Sequence, residues 1–180
     1  MVRKENQRIM LTKKLLKNAL VEILQNESLY HISIRELCEK SGINRSTFYK
    51  YYGSQFDLLS EMEQDLLHDI EMWLIEDDMQ NPKVLSNLLR YIENNLEFVR
   101  LLFNSNVDPE FAGRLFSTPQ IQQMLKQMIG ADLSPDEYEY ASSFLIYGAY
   151  QMVRIWMNKE KRESPEWMAN FIIHQLLGDR

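Results

Sequence analysis

The chain has few of the residues that would indicate a disulfide scaffold, a metal site or a membrane span. Its one cysteine, Cys38, excludes an internal disulfide and a multi-cysteine metal site, and it suits a reducing compartment. No apolar run approaches the roughly 18 residues that a bilayer span needs, and the charged segment from Met1 to Met10 does not read as a secretory signal. We therefore expect a cytoplasmic protein with no membrane contact, no cofactor and no bound metal.

Proline is also scarce, and its positions predict where helices begin. Each of the five prolines follows a residue whose side chain can cap a helix: Asn81, Asp108, Thr118, Ser134 and Ser164. Proline is tolerated at the first helical position, where its missing N–H has no helical partner to lose. We therefore predict five helix starts at these dipeptides. Because continuous strand alternation is absent, the predicted fold class is all-α, with about nine helices.

Hydrophobic periodicity supplies the other helices. Repeated apolar positions predict a first helix over about 8–26 and a fourth from Ser54 to about 77. Between them, Ser33 can cap a helix that ends at Gly42, and a short third helix covers about 45–51. The last two helices are predicted over about 134–159 and 165–177, and 77–81 resembles a linker. We divide the chain into an N-terminal domain, 1–53, and a larger C-terminal domain, 54–180.

The short second and third helices, separated by a glycine, form the pattern of a helix-turn-helix. On the third helix, Phe48 and Tyr52 are four residues apart and should pack together against Leu37, Leu20 and Leu24 of the preceding helices. The opposite face then presents cationic, hydroxyl and phenol groups that can bond to phosphates or base edges in a DNA groove. A short connecting helix with a solvated polar face is the alternative interpretation.

The division of charge supports the DNA-binding interpretation. The formal net charge of the chain is −6, which is unusual for a protein that meets phosphates. Residues 1–52 hold ten Lys or Arg against five Asp or Glu, a net charge of +5, whereas the remainder carries −11. A basic N-terminal segment on an acidic body is expected if one end of the protein faces nucleic acid.

Residues 9–60 resemble the N-terminal domain of the TetR/AcrR family of bacterial repressors. The match runs through the segments 34–38, 41–44 and 46–49, the aromatic Tyr52 and the segment 57–59. The resemblance implies a transcriptional regulator in the bacterial cytoplasm at the nucleoid, a homodimer that binds a pseudo-palindromic operator in double-stranded DNA. Carried onto this sequence, the DNA-facing residues are Ser33, Arg35, Asn44, Arg45, Ser46, Thr47, Tyr49 and Lys50.

The start of the fourth helix departs from the family pattern. Gln55 and Gly53 occupy positions where lysine is common in this family, and Tyr51 occupies one that is often histidine. A phosphate contact by a lysine side chain at the start of the fourth helix is therefore not expected, although the backbone amides there could still donate to a phosphate.

The C-terminal domain is rich in methionine and aromatic residues, which suit an adaptable apolar pocket. Taken singly, such residues are ordinary core residues, and the resemblance is what favours a pocket for a small apolar or amphipathic inducer. A family member without a small-molecule inducer is the alternative. The predicted pocket residues are Met62, Leu66, Trp73, Tyr91, Phe98, Phe103, Met124, Met128, Tyr147 and Tyr150.

The last two helices are predicted to form the dimer surface. Gly148 and its small neighbours permit close approach of a second helix, and apolar residues at helical spacing flank them. An intramolecular core made by the same residues is the alternative. The predicted interface residues are Phe144, Gly148, Gln151, Ile155, Phe171, Ile172 and Leu176.

Two rival functions are considered. An enzyme would have to use His68, Asp69 and Glu71 near His174, but His68 and Asp69 diverge by about 100° on a helix, and there is no phosphate-binding glycine loop or nucleophile elbow. A helical protein-protein adaptor would leave the basic helix-turn-helix unexplained. We therefore predict a DNA-binding regulator that is not an enzyme.

Overall fold

The structure is a computed structural model that describes residues 2–75, 82–103, 107–129 and 132–177. These ranges contain ten helices and no strand, which confirms the all-α class and adds one helix to the predicted number. The helices are α1 (Val2–Leu24), α2 (Ile34–Ser41), α3 (Arg45–Tyr51), α4 (Gln55–Ile75), α5 (Pro82–Asn94), α6 (Leu96–Phe103), α7 (Phe111–Phe116), α8 (Pro119–Ile129), α9 (Pro135–Asn158) and α10 (Pro165–Leu177). The predicted linker at 77–81 lies outside the described residues.

Four of the five prolines begin a helix as predicted, at α5, α8, α9 and α10. At α9 the Ser134 hydroxyl accepts from the Glu137 amide while the Glu137 carboxylate accepts from the Ser134 amide, a complete capping box. The prediction at Pro109 is wrong. A carboxylate oxygen of Asp108 accepts from the amide of Glu110 at 2.8 Å, which closes a turn, and α7 begins only at Phe111.

The chain divides into two compact units, residues 1–66 and 67–180, and the division falls inside α4. In the first unit α1 packs on α2 and α2 on α3. Its core consists of fully buried side chains from all four helices, among them Leu16, Leu20, Leu37, Phe48 and Leu58. The predicted domain boundary at 53/54 differs from this division, and the functional boundary stays a prediction.

The second unit is a helical bundle in which α10 packs extensively on α5, and α9 contacts α6, α8 and α10. Polar contacts fix the long helix α9 to α6: the Tyr150 hydroxyl donates to the carbonyl of Phe103 at 2.7 Å, and Arg100 Nε donates to the carbonyl of Met157 at 2.7 Å. Trp156 is fully buried and donates its indole N–H to the carbonyl of Glu163. In the described part of the chain, no helix combines the length and apolar character that crossing a membrane requires.

Candidate nucleic-acid interface

The turn between α2 and α3 is built by local backbone chemistry. The Ser33 hydroxyl accepts from the amide of Glu36 at 3.2 Å and caps the start of α2. Gly42 follows the last residue of α2 with φ at +69°, the left-handed region that costs glycine nothing and other residues about 1 kcal/mol or more. The predicted ends of α2 and α3 are confirmed. Asn44 occupies the position before α3, but its side chain makes no capping hydrogen bond, contrary to the prediction.

The inner face of α3 anchors the helix to the core, as predicted from the spacing. Phe48 is fully buried and Tyr52 is nearly so, and the two ring centroids are 5.7 Å apart. The Tyr52 hydroxyl donates to Oε1 of Glu61 on α4 at 2.9 Å. Burial raises the pKa of Tyr52, and the bond to Glu61 adds to this shift, so the phenol keeps its proton and remains a donor.

The outer face of α3 is exposed to solvent. Arg45, Ser46, Tyr49 and Lys50 all lie on the surface, with Tyr49 58% exposed, while Thr47 is half-buried. Within the described residues no acidic side chain is paired with Arg45 or Lys50, and the Lys50 ammonium lies 5.7 Å from the Tyr51 ring centroid. These side chains are therefore free to meet a phosphate or a base edge. Ser33, Arg35 and Asn44 are exposed as well.

Arg35 has an intramolecular partner, Glu39, that was not predicted from the sequence. Its Nε donates to Oε1 of Glu39 at 2.7 Å, one turn further along α2, and both side chains are largely exposed. This hydrogen bond raises the pKa of the guanidinium. A phosphate contact by Arg35 must therefore compete with the Glu39 carboxylate. The signal was available in the sequence, since Arg35 and Glu39 are at i, i+4.

The basic character of the N-terminal unit is more local than the charge count over 1–52 suggested. Extended to the compact unit 1–66, ten Lys or Arg stand against nine Asp or Glu, a net charge of only +1, because α4 supplies four acids. Two of those acids pair with α1: Glu61 contacts Lys13 at 2.6 Å and Lys17 at 2.8 Å, and Asp65 contacts Lys17 at 2.6 Å. Lys40 pairs with Glu22 at 2.7 Å. By contrast, the two cations of α3, Arg45 and Lys50, have no acidic partner in the described residues.

Glu61 is the centre of this network. Burial works against its charge, but hydrogen bonds from Lys13, Lys17 and Tyr52 outweigh burial and lower its pKa from 4.5 to about 2. The same network raises the pKa of Lys17 against the opposing effect of burial. One carboxylate thus links α1, the end of α3 and α4, and it contacts α3 only on the inner side, through Tyr52.

The start of α4 is closed by its own side chains. Gly53 donates its amide to Oδ2 of Asp57 at 2.9 Å, and Asp57 donates its amide to the Ser54 hydroxyl at 3.3 Å. Gln55, which stands where the family often has lysine, donates to the carbonyl of Leu29 at 3.4 Å. Beside Gln55 the exposed rings of Tyr30 and Phe56 meet edge to face with their centroids 5.4 Å apart, a pair that was not predicted from the sequence.

The predicted pocket residues separate into three groups. An apolar cavity of about 160 Å³ in the C-terminal unit is lined by Phe103, Met124, Met128 and Tyr150 together with residues that were not predicted. Met62 and Leu66 are buried in the N-terminal unit instead. The third group lies outside the lining and comprises Trp73, Tyr91, Phe98 and Tyr147. The Tyr91 hydroxyl donates to Asp69 at 2.6 Å. Tyr147 is 59% exposed, and the edge of its ring contacts Phe116.

The predicted dimer residues also separate. Phe144 is 78% exposed and Ile155 is 53% exposed, Gln151 is exposed, and a Cβ on Gly148 would meet nothing within 4 Å. Phe171 remains at the surface, its ring stacked on that of Trp167 at 5.1 Å. Ile172 requires correction: it is buried and lines the cavity, because α10 turns this side toward α5. Leu176 lies outside the residues whose side chains are described.

The residues considered for an enzyme do not assemble into a metal site. In the described ranges there is no group of three His, Cys, Asp or Glu that could hold a metal ion. Cys38 is buried and free of any disulfide, and burial raises the pKa of its thiol, which is unfavourable for a reactive thiolate.

Known proteins with similar sequences are regulators of transcription. Residues 80–178 match the TetR_C_8 family, described as the transcriptional regulator C-terminal region. YxbF of Bacillus subtilis, an uncharacterised HTH-type transcriptional regulator, is 24% identical over 83% of this chain and 40% of its own length. DhaS of Lactococcus lactis, an HTH-type dhaKLM operon transcriptional activator, is 31% identical over 52% of this chain and 49% of its own length. The chain thus matches about half or less of either relative.

The fold is shared with a solved structure over almost its whole length. A TetR transcriptional regulator from Streptococcus agalactiae superposes with a TM-score of 0.71 at 21% identity, covering 98% of this chain and 99% of that chain. At this identity the likeness shows the fold alone. The family match, however, covers more than half of the chain, and it agrees with the helix-turn-helix of α2 and α3. The chain belongs to the TetR/AcrR family of transcriptional regulators.

Proposed function

We propose that this chain acts as a homodimeric repressor: α3 reads a pseudo-palindromic operator in double-stranded DNA, and a small-molecule inducer releases the protein. The observation that carries the DNA part is the outer face of α3. Arg45 and Lys50 are exposed there without acidic partners in the described part of the chain, although the unit around them has a net charge of only +1.

The distribution of ion pairs strengthens this interpretation. Acids on α1 and α4 bind the lysines Lys13, Lys17 and Lys40 within the protein. A purely structural role for this unit does not explain why Arg45 and Lys50 have no acidic partner in the described residues, or why they lie beside the exposed Ser46 hydroxyl and Tyr49 phenol. Exposed Lys and Arg on a short helix after a tight turn suit the phosphate backbone and base edges of a major groove.

The outer face of α9 supports dimerisation. Tyr140, Phe144, Tyr147, Gln151 and Ile155 recur at helical spacing, and the four apolar members of this row are each more than half exposed. A contiguous apolar row of this size on a helix is typical of a protein–protein interface. In a two-fold dimer the same row on both subunits would face itself, and recognition helices about 34–36 Å apart would then read two half-sites.

The test begins with selection of bound duplexes from a random double-stranded library, followed by gel shift over a range of salt concentrations. We expect an enriched inverted repeat and an affinity that falls steeply with salt, since each phosphate neutralised by Lys or Arg releases a counterion. Light scattering at micromolar concentration should give the mass of a dimer. Absence of an enriched sequence together with salt-independent binding would favour a protein–protein adaptor instead.

Activation is a second candidate, because the Lactococcus lactis relative is named an operon transcriptional activator. A reporter gene placed behind the selected operator distinguishes the two. Repression predicts that expression rises when the protein is removed, whereas activation predicts that expression falls. A regulator that works without an inducer would leave the reporter unresponsive to every small molecule tested.

A further inference from the structure

The cavity in the C-terminal unit has an unusually uniform wall. It lies among α4 to α10 of that unit, and each of the longer helices presents one row to it: for example, Ile146, Ala149, Tyr150 and Val153 of α9 follow one another at helical spacing. The exposed row of α9 that begins at Tyr140 and ends at Ile155 lies on the opposite side of the helix. The remaining lining side chains are all isoleucine, leucine, phenylalanine or methionine, among them Leu88, Phe103, Met124 and Met128.

The chemistry of this wall is selective. Among the described lining residues none is charged, and the one side chain with a nitrogen or oxygen atom is Tyr150. Its hydroxyl already donates to the carbonyl of Phe103 at 2.7 Å, so its proton is engaged within the protein. A ligand carboxylate placed here would lose its hydration without gaining a donor. A ligand hydroxyl would find only the Tyr150 oxygen as an acceptor, so a molecule with several hydroxyl groups would leave most of them without a partner.

The size of the cavity limits its occupant. Its volume is about 160 Å³. In a different protein, an engineered cavity of about 150 Å³ lined by Leu, Ile and Phe stays dry and binds benzene. A guest of about six to nine non-hydrogen atoms therefore fits, and the flexible side chains of Met124 and Met128 allow modest adjustment to shape.

We propose that this cavity binds a small, uncharged, apolar molecule of about the size of a substituted benzene, and that it rejects carboxylates and polyols of equal size. The proposal names the class of inducer for the function proposed above and rests on that function for its regulatory meaning. Binding itself is a property of the cavity and can be measured without DNA.

The experiment compares three probes that differ in polarity: toluene, benzoate and glycerol. Melting temperature and titration calorimetry are recorded for the full chain with each probe. We expect the melting temperature to rise with the logarithm of toluene concentration once this exceeds Kd, while benzoate and glycerol at equal concentrations leave it unchanged. Absence of a toluene shift, or binding of benzoate as tight as that of toluene, would overturn the proposal.

Two variants place the binding site. Ala149→Met fills the cavity from α9 and should abolish the toluene shift, whereas Ala112→Met on α7, outside this lining, should keep it. Because filling can destabilise the bundle, Leu88→Ala serves as the opposite test: the enlarged cavity should bind naphthalene at least tenfold more tightly than the original chain does. A toluene shift that persists in Ala149→Met, or unchanged naphthalene binding in Leu88→Ala, would contradict this assignment.

The DNA readout is kept separate, so that the two proposals fail distinguishably. If toluene binds but does not displace the operator in a gel shift, the cavity assignment stands and inducer release by this class of molecule fails. If a charged or polyhydroxylated compound binds the C-terminal unit and releases the operator while toluene does not bind, the function stands and the ligand class proposed here is wrong.

Discussion

The Tyr52 hydroxyl donates a hydrogen bond of 2.9 Å to the Glu61 carboxylate and joins the end of α3 to α4. The same carboxylate accepts from Lys13 and Lys17 of α1. Three donors on one partly exposed carboxylate fix the position of α3 from its inner side. The position of the exposed outer face of α3, for which we propose DNA contacts, thus depends on a carboxylate on the other side of the helix.

We expect Glu61→Gln to lower the free energy of unfolding by about 1–3 kcal/mol, since the amide cannot satisfy both lysines and the phenol at once. Urea denaturation measures the change. Asp65→Asn is the matched control: Asp65 pairs with Lys17 but is 62% exposed, so its loss should cost less than about 1 kcal/mol. Equal losses of unfolding free energy in the two variants would show that Glu61 is not the centre of this network.

The stabilisation by Glu61 should depend on pH in a defined direction. Its pKa is lowered from 4.5 to about 2 in the folded chain, so its contribution is fully present above about pH 4.5 and is lost as the pH falls toward 2. The difference in unfolding free energy between the original chain and Glu61→Gln should therefore shrink between about pH 5 and about pH 3, measured by urea denaturation at each pH. A difference that stays constant over this range would contradict the assignment.

The outer face of α3 gives a prediction for DNA binding. Lys50→Ala should weaken operator binding for all sequences alike and lower the slope of log affinity against log salt by about 0.9 for each phosphate that is no longer neutralised. Tyr49→Phe should weaken binding roughly fivefold because the phenol hydroxyl is removed. Both variants should melt like the original chain. The matched control is Lys40→Ala, whose ammonium is already paired with Glu22 and whose removal should leave the salt slope unchanged.

The pair between Arg35 and Glu39 predicts a gain of function. Glu39→Gln removes a carboxylate that competes for the guanidinium and repels phosphate, so we expect operator affinity to rise severalfold at low salt. The gain should be clearly smaller when Arg35 is also replaced by Ala, as measured by a double-mutant cycle in gel shifts, because only the repulsion of phosphate is then relieved. An equal gain with and without Arg35 would mean that Glu39 acts through general repulsion alone.

Gly148 tests the dimer surface. A Cβ at this position meets nothing within 4 Å in the subunit, so Gly148→Ala should leave the fold intact and stabilise α9 by roughly 0.5–1 kcal/mol. If a second subunit approaches closely here, Gly148→Leu and Phe144→Ser should each raise the dimer dissociation constant at least tenfold, measured by sedimentation. The Leu variant forming dimers as well as the original chain would place the interface elsewhere.

Local chemistry explains why the helix-turn-helix could be predicted from the sequence. Ser33 caps α2 and Gly42 ends it through interactions that span a few residues, and the i, i+4 spacing of Phe48 and Tyr52 fixes which side of α3 is buried. Four of the five proline-based starts were confirmed for the same reason. At Pro109 the carboxylate of Asp108 caps a turn instead of a helix, and α7 begins two residues further on, at Phe111.

The tertiary structure alone decided which distant residues meet. Lys13 and Glu61 are 48 residues apart, and no periodicity shows that α4 would neutralise lysines of α1 while the cations of α3 stay free. Composition marked methionine and aromatic residues as pocket candidates, yet the packing of α4 to α10 selected Met124 and Tyr150 and left out Trp73 and Tyr91. The sequence determined the helices and the buried side of α3, because these depend on neighbouring residues. The charge pairing, the cavity and the orientation of Ile172 were decided by packing between helices, because this depends on the whole chain.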